Sequence, residues 1–386
     1  MNEARPLTLA GVLVVEADSI ARRDLHLAGG LVADAPAAGT AVLDARDLVA
    51  YPGLVNAHDH LHLNSVPPPA PRTWPNAYAW IEAFQPHFQE PAVRRALEVP
   101  LPVRAAHGGL KNLLAGATTV AHHDPWLPVF EERAFPAHVV AGYGWSHSLG
   151  LDYGPPVAEG FAATPPGRPF MIHLAEGTDA GAAGELEALA RQGALDERGV
   201  LVHGVGFTPG DVARILEAGA AVVWCPASNL ALLGATLDPL PLARAGRLAL
   251  GTDSRLSGSR DLLEEMKVAR SVGGCSPRDV FRLVTRGGAA VLKEPLCGGL
   301  APGQRADLLL LRAGGDPYEA LLTAGRADLA AVLLGGRPLL ADAPLERWLA
   351  AGCVDARPVR LDGREKVLWA AIAPEVLALE PGLEPC

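Results

Sequence analysis

From residue 51 to about 298, short apolar runs alternate with longer stretches whose apolar residues recur at helical spacing. The apolar runs lie at residues 54–57, 118–122, 137–143, 170–174, 200–203, 221–225 and 248–251. The helical stretches between them include residues 92–115, broken by Pro100 and Pro102, and then 182–192 and 261–272. Strands that alternate with helices are typical of βα units around a parallel sheet. The pattern predicts an α/β fold with a central barrel over residues 51–298.

Both ends of the chain follow a different pattern. Short strand-like runs without helical spacing, separated by glycine and proline, lie at residues 7–16, 24–28, 31–33, 41–43, 306–311, 330–334 and 337–340. We therefore predict that residues 1–50 and 299–386 together build a small β-sandwich domain beside the barrel.

Composition narrows the class of protein. The 386 residues are 49% hydrophobic and 20% charged, which favours a large folded core over disorder. A net charge of −10 disfavours nucleic acid as a partner, and no run of uncharged apolar residues is long enough for a membrane span. Residues 1–6 lead into no signal-like apolar core. The cysteines include no Cys-x-x-Cys pair, which fits a reducing, cytoplasmic location; they are Cys225, Cys275, Cys297, Cys353 and Cys386.

The apolar run at residues 54–57 ends in two histidines, His58 and His60. Alternate side chains of a strand share one face, so the two imidazoles point the same way. Paired imidazoles at the end of a buried strand suit a divalent metal ion. The alternative is two unrelated surface histidines, which does not explain why an apolar strand delivers them together.

Three further strand-like runs also end in residues that bind metals. His173, His203 and Asp253 each follow such a run, and barrel enzymes place their chemistry at the carboxyl ends of the strands. A single histidine there would more often be a core residue. Several imidazoles with one carboxylate suit zinc or ferrous iron, with a position left for a water whose pKa the metal lowers to ~7.

Glu176 lies three residues after His173. A carboxylate beside the metal-activated water is placed to move protons. The alternative is a solvated loop carboxylate; next to His173 we favour the catalytic interpretation.

Five motifs follow one another between residues 52 and 253. They read Pro-Gly-Leu-Val-Asn-Ala-His-Asp-His, His-Leu-Ala-Glu, Val-His-Gly, Cys-Pro-Ala-Ser-Asn and Leu-Gly-Thr-Asp. This order resembles the amidohydrolase superfamily, and most closely the branch of cytosine deaminase, guanine deaminase and the triazine hydrolases. The segment 303–308 resembles the family's return to its β domain. The motifs are specific for the superfamily and much less so for the substrate.

The resemblance implies a (β/α)8 barrel with one metal ion per chain, Zn²⁺ in first place and Fe²⁺ as the alternative. It implies that the ligands are His58, His60, His173 and Asp253. Asp253 would also accept a proton from the water, His203 would polarise the substrate or the water, and Glu176 would protonate the ring nitrogen. Other branches bridge two metals with a lysine of the fourth strand, but no lysine occurs between Lys111 and Lys267.

One segment departs from the family pattern. Ala121, near the end of the second barrel strand, lies only 52 positions before His173. This is short for a segment that holds strands three and four with their helices. We predict an irregular barrel there, with a reduced helix and with residues 137–143 and 144–147 turning closely on each other.

Further residues are candidates for the substrate pocket, and each has a structural alternative. The candidates are His62, His122, Trp126, Trp145, His147 and Arg255. Trp126 and Trp145 are as readily explained as core residues, and Arg255 as the ion-pair partner of a carboxylate on the following helix. Trp80 and Phe84 are candidates for a lid over the site, or they simply pack on the barrel.

The sequence therefore predicts a hydrolase that deaminates a nitrogen heterocycle, of the purine, pyrimidine, pterin or triazine type, through metal-bound hydroxide. A second interpretation keeps the site but cleaves a cyclic amide or a heteroaryl halide. A third, an inactive scaffold paralogue, does not explain the intact ligand set with Glu176. The predicted partner is a small-molecule substrate, without nucleic acid or membrane, and a homodimer is left open.

Overall fold

The computed structural model describes residues 5–343, 345, 356–369 and 372–386. Cys353 and the first four residues lie outside this part of the chain. The predictions drawn from the cysteines and from residues 1–6 depend partly on them. The first strands are β1 (Leu7–Val15), β2 (Ile20–Ala28), β3 (Leu31–Ala33), β4 (Ala41–Asp44) and β5 (Leu48–Pro52). The sequence pattern did not single out β5 as a strand, because all five of its residues are buried and show no alternation.

Parallel strands of the barrel follow along the chain. They are β6 (Leu54–Asp59), β7 (Ala117–His122), β8 (His138–Val139), β9 (Gly144–Trp145), β10 (Phe170–Leu174), β11 (Gly199–His203), β12 (Ala221–Trp224) and β13 (Leu248–Leu250). Hydrogen bonds join β6, β7 and β8 in sequence into one group of strands, and β9 through β13 in sequence into another. The amides of Thr252 and Asp253 donate to the carbonyl of His58, at 3.0 and 3.1 Å, and so link β13 to β6. The predicted barrel is confirmed.

Strands β8 and β9 have two residues each, and residues 140–143 connect them without a helix. Gly142 turns the chain at φ +71°, and the Tyr143 hydroxyl donates to the carbonyl of Asp124 at 2.8 Å. The predicted irregularity around strands three and four is therefore confirmed, although the strand predicted over residues 137–143 was too long.

Helices pack around the strands. They are α1 (Ala77–Phe84), α2 (Pro91–Glu98), α3 (Leu101–Leu114), α4 (Val157–Ala163), α5 (Ala180–Ala183), α6 (Glu185–Arg191), α7 (Pro209–Ala218), α8 (Pro226–Leu233), α9 (Leu240–Arg244), α10 (Leu262–Val272), α11 (Pro277–Leu283), α12 (Arg286–Val291), α13 (Pro317–Thr323) and α14 (Pro374–Leu377). The helical stretch 92–115 is interrupted between α2 and α3 at Pro100, as predicted. The stretch 182–192, predicted as one helix, is divided at Gly184 into α5 and α6. Within the described residues, no helix is long and apolar enough to cross a membrane.

Both chain ends contribute to one mixed sheet of eleven strands. Its later strands are β14 (Leu308–Arg312), β15 (Ala331–Leu334), β16 (Arg337–Asp342), β17 (Arg357–Leu361), β18 (Arg364–Leu368) and β19 (Leu383–Pro385). Antiparallel pairing of β14 with β5 joins the two halves. Strand β5 crosses the predicted boundary at residue 50, and the division into domains at 50 and 298 stays a prediction.

A buried charge cluster ties the C-terminal segment to the barrel. The carboxylate of Glu380 accepts hydrogen bonds from His107 Nε2 at 2.8 Å, from both terminal nitrogens of Arg255 at 2.9 and 2.8 Å, and from Arg326. Burial acts to raise the pKa of Glu380, but these donors hold it below its usual value. The cluster fixes the loop after β13, which carries Arg255, against the end of the chain.

Candidate metal centre

Four of the predicted residues converge at the carboxyl ends of three barrel strands. Nε2 of His173, on β10, lies 3.3 Å from Nε2 of His58, on β6, and 3.3 Å from Nε2 of His60, just after β6. Oδ1 of Asp253, just after β13, lies 3.8 and 3.6 Å from the same two atoms. All four residues are buried. These donor atoms therefore surround one small space.

The hydrogen bonds of two imidazoles show that this space suits a cation. Nδ1 of His60 lies 2.6 Å from Oδ2 of Asp124, and Nδ1 of His173 lies 2.8 Å from the carbonyl oxygen of His147. Each Nδ1–H can only donate to these acceptors, which leaves Nε2 with its lone pair facing the cluster. Tetrahedral zinc with bonds of about 2.0–2.1 Å holds its ligand atoms roughly 3.3 Å apart. The donor set therefore fits a divalent ion of this kind.

Electrostatics at the cluster also favour positive charge. Burial lowers the pKa of His60, but the carboxylates of Asp124 and Asp253 outweigh it and raise that pKa to about 9. Burial and the neighbouring imidazoles hold the pKa of His58 and of His173 well below the usual value. The centre thus attracts one positive charge while keeping its other imidazoles neutral, and a divalent cation satisfies both conditions.

Hydroxyl and amide donors hold Asp253 in its ionised form. Oδ2 accepts from the hydroxyls of Ser228 at 2.8 Å and Ser257 at 2.6 Å, and Oδ1 accepts from the amide of Ser254 at 2.8 Å. Burial acts to raise the pKa of Asp253, yet His60, His203 and these hydroxyls keep it below the usual value. An ionised carboxylate at this position can bind a metal ion or accept a proton from water.

Three residues next to the centre have left-handed backbone. Ala175, His203 and Asp253 have φ of 53°, 78° and 53°. Such a conformation costs a non-glycine residue about 1–2 kcal/mol and is common at functional sites. At the end of β10, the amide of Ala175 donates to Oε2 of Glu185 at 2.6 Å, which holds the turn before Glu176 in place.

Glu176 and His203 face each other beside the four donors. Oε1 of Glu176 lies 3.6 Å from Nε2 of His203. Nδ1 of His203 donates to Oδ1 of Asn229 at 2.8 Å, so its Nε2 is a hydrogen-bond acceptor. Burial and the carboxylates of Asp253 and Glu185 raise the pKa of Glu176 to about 7 against the opposing effect of His203. Glu176 can therefore both take up and release a proton near neutral pH.

The carboxylate of Asp59, which lies between His58 and His60 in the sequence, points away from the centre into a buried network. Its Oδ2 pairs with Lys111 Nζ at 2.8 Å and accepts from Asn112 at 2.8 Å, while Oδ1 accepts from Asn64 at 2.9 Å. Both members of the ion pair are fully buried. The network holds the end of β6 and thereby the two imidazoles. Lys111 belongs to this network and is not one of the four donors.

Asp124 is a functional residue that the sequence analysis missed. Besides His60, its carboxylate accepts the hydroxyl of Tyr153 at 3.0 Å and lies 3.7 Å from Nδ1 of His62. A carboxylate that receives the second N–H of a metal-binding histidine orients the ring and raises its basicity. The sequence did contain a signal for Asp124, because this residue lies just after the end of β7, as the other site residues lie at or just after the ends of their strands.

We expect Asp124→Asn to weaken zinc binding by roughly 10–100-fold, because the amide cannot accept the His60 proton as strongly as a carboxylate does. Competition with a chromophoric chelator measures the affinity. Asp152→Asn, the same change at an exposed position, is the control. Equal zinc affinity in the Asp124 variant and the wild type would show that His60 needs no orienting partner.

Four of the substrate-pocket candidates, His122, Trp126, Trp145 and Arg255, do not line the cavity above the centre. The His122 ring lies against Phe130, and its Nδ1 accepts the amide of Leu61, so this histidine faces away from the cavity. His123 points inward instead and stacks on His173 at a ring distance of 4.2 Å. Trp126 packs on Phe130 and donates to Glu131, which agrees with the core interpretation.

Arg255, a candidate to bind substrate or to pair with the following helix, makes its contacts outside the cavity lining. Its guanidinium pairs with Glu380 near the chain end and donates from Nε to the carbonyl of Arg260 at 2.6 Å. Trp145 lies behind Tyr153, at a ring distance of 5.9 Å. His62 and His147 do line the cavity above the centre, together with Tyr153.

A cavity of about 230 Å³ opens directly onto the donor cluster. Its floor includes His60, His173, Glu176, His203 and Asp253. Trp80 and Phe84 of α1 lie along one side, where they were predicted as a lid. A small molecule in this cavity would touch the centre and Glu176 at the same time.

Comparison with known proteins agrees with this geometry. The model of the amidohydrolase family matches residues 164–339. Over 103 residues the chain is 45% identical to aminodeoxyfutalosine deaminase of Deinococcus radiodurans, a match that covers 26% of this chain and 25% of that protein. It is 28% identical to 8-oxoguanine deaminase of Pseudomonas aeruginosa over 89% of this chain and 92% of that protein.

The fold is shared with solved structures. Atrazine chlorohydrolase from Arthrobacter aurescens TC1, complexed with zinc, has a TM-score of 0.69 at 19% identity, and the match covers 89% of this chain and 98% of that one. Together with the family match, these similarities agree with the barrel and with a divalent metal at its mouth. The chain therefore resembles the amidohydrolases of the branch of deaminases and triazine hydrolases, and these similarities support a metal-dependent hydrolase that acts on carbon–nitrogen bonds.

Proposed function

We propose that the protein is a hydrolytic deaminase of a nitrogen heterocycle, with one zinc ion per chain. One observation supports this most strongly: Glu176, with a pKa near 7, lies within one cavity with the four converging donors. Deamination at a ring carbon needs an activated water and a group that protonates the ring nitrogen, and both are provided for at this position.

A divalent ion held by His58, His60, His173 and Asp253 would lower the pKa of water at the site to ~7. The protein's own residues then move the protons. Asp253, ionised and facing the cluster, accepts a proton from the water. Glu176, in its protonated form, donates to the ring nitrogen next to the carbon under attack. The hydroxide that remains adds to that carbon. The amino group then takes the proton from Asp253 and leaves as ammonia, and the hydroxyl returns a proton to Glu176 as the ring carbonyl forms.

His203 orients the attacking water in this scheme. Its Nδ1 donates to Asn229, whose amide nitrogen in turn donates to Thr236 at 3.2 Å, so the orientation of the Asn229 side chain is fixed. With Nδ1 donating to Asn229, Nε2 of the neutral ring can receive a hydrogen bond from water. Of the two roles implied by the family resemblance, polarising the water fits this geometry.

A panel of aminopurines, aminopyrimidines, aminopterins and aminotriazines tests the proposal. We expect the zinc-loaded protein to release ammonia from at least one of them and to leave the corresponding oxo compound, because the site supplies both proton transfers. Coupled ammonia detection and mass spectrometry measure the two products. Cleavage of a halide or of a ring amide without release of ammonia would show that the site acts on a different leaving group and would contradict deamination. No turnover of any panel member by fully metallated protein would refute the proposed function.

A further inference from the structure

We propose that the substrate is a small, uncharged heterocycle that bears an apolar substituent, and not a heterocycle with a phosphate or carboxylate group. The inference rests on the proposed function and specifies its substrate class. It depends on three features of the cavity: its size, its apolar wall and the charge of the residues that line it.

The cavity is small. Its volume of about 230 Å³ lies below the roughly 300–1,000 Å³ that is usual for ligand sites. One planar ring system with a small substituent fills such a space. A nucleotide, with its sugar and phosphate, needs considerably more. Size alone therefore favours a free heterocycle.

One side of the cavity is an apolar wall, formed by Ala77, Trp80, Ile81, Phe84, Leu151 and Leu256. The first four lie on α1 at positions i, i+3, i+4 and i+7, so a single face of this helix borders the cavity. An apolar wall of this kind gains from contact with an apolar group, since burial of apolar surface is favourable. The wall and the polar floor border the same cavity, so a ring with its reacting carbon at the floor can place its substituent against the wall.

The charges around the cavity disfavour an anion. The described residues that line it include three carboxylates, Asp124, Glu176 and Asp253, and histidines at the floor, but no lysine or arginine. Two nearby arginines are engaged elsewhere: Arg255 with Glu380, and Arg104 with the carbonyls of His62 and Val99. A substrate carboxylate or phosphate at the wall would lose its hydration without gaining a cationic partner.

The apolar wall is held in place from its N-terminal end. The amide of Ala77 donates to the carbonyl of Glu176 at 2.9 Å. The amide of Thr178 donates to the carbonyl of Pro75 at 2.8 Å. The Tyr78 hydroxyl donates to Oε1 of Glu185 at 2.6 Å. Helix α1 is thus attached to the loop that carries Glu176, and the size of the cavity is set before substrate binds.

The test compares matched substrates on the zinc-loaded protein. For each ring that is deaminated, kcat/KM is measured for the unsubstituted, isopropyl and carboxymethyl derivatives. We expect the isopropyl compound to exceed the unsubstituted one by about 10-fold or more, as is usual for an added alkyl group in an apolar pocket. The carboxymethyl compound should fall about 10²-fold or more below the isopropyl compound. A wild-type preference for the carboxymethyl derivative, or no preference, overturns the inference.

Two variants locate the preference. Ile81→Arg should raise the kcat/KM ratio of carboxymethyl to isopropyl compound by about 10-fold or more, because it adds a cation to the wall. Val272→Arg, which adds the same charge at an exposed position on α10, should leave the ratio unchanged. If the Ile81 variant does not fold, Phe84→Ala serves instead and should reduce the preference for isopropyl. An unchanged ratio in a folded wall variant places the selectivity elsewhere and overturns the inference.

Failure of the proposed function gives a different result. If no amino compound is turned over, calorimetry with the oxo derivatives still measures the selectivity of the cavity. Tighter binding of the isopropyl than of the carboxymethyl derivative then supports the inference although deamination is refuted. Tighter binding of the carboxymethyl derivative, or binding of neither, overturns it.

Discussion

The His173→Ala protein should be isolated without its metal ion and without hydrolase activity, whereas the wild type should hold one equivalent of zinc per chain. Nε2 of His173 lies 3.3 Å from both other imidazole donors, so its removal opens the cluster on one side. Residues around the ligands orient them but cannot replace a lost bond to the metal. Elemental analysis after dialysis against a weak chelator, together with the ammonia assay, measures both effects.

His26→Ala is a suitable control for this variant. His26 lies on β2 of the end sheet, and its Nδ1 shares a hydrogen bond with the hydroxyl of Thr8 on β1. It should retain metal and activity. An active, fully metallated His173→Ala protein would remove His173 from the site. Two tightly bound equivalents in the wild type, both needed for activity, would contradict the single-ion proposal.

Glu176→Gln should retain folding and metal but lose turnover by ~10²-fold or more, the usual scale for removal of a general acid or base. Glutamine preserves the shape and one hydrogen-bonding oxygen but cannot carry a proton at neutral pH. The loss should appear in kcat as well as in kcat/KM, since the proton transfer belongs to the transition state. Steady-state kinetics on whichever heterocycle is deaminated, with metal content measured on the same sample, tests this.

Glu187→Gln makes the same chemical change on α6, where the half-buried carboxylate pairs with Arg191 and Arg214 and not with the centre, and it should leave the kinetics unchanged. The comparison separates proton transfer from the general effect of removing one negative charge. Wild-type turnover by a metallated Glu176→Gln protein would mean that another residue moves the proton. His203, 3.6 Å from Glu176, would then be the first residue to examine.

The four donor residues could be predicted because they lie at or just after the ends of three apolar strands. This signal is local, and the carboxyl ends of parallel strands meet at one edge of a barrel. The positions of His122 and His123 could not be predicted in the same way. Strands β6 and β7 shift register between Asn56 and Asp59, so alternation along one strand does not fix which face the next residue takes.

Other features depend on partners that are distant in sequence. Arg255 pairs with Glu380, 125 positions later, and no pattern around Arg255 indicates this. The apolar wall likewise forms only when α1 packs over the barrel mouth, so the sequence predicted Trp80 and Phe84 only as a lid or as packing on the barrel. The cytoplasmic location, the homodimer and the exclusion of nucleic acid and membrane partners stay predictions.

The attachment of α1 to the loop after β10 has a consequence for how this enzyme could change its specificity. The backbone that positions the apolar wall also positions Glu176, through the bond from Ala77 to the Glu176 carbonyl. An insertion or deletion that enlarged the cavity by moving α1 would displace the proton carrier and slow the reaction. New specificities should therefore arise by exchange of side chains at positions such as 80, 81 and 84. Directed evolution of this protein would gain more from point substitutions on α1 than from changes in the length of the loops around it.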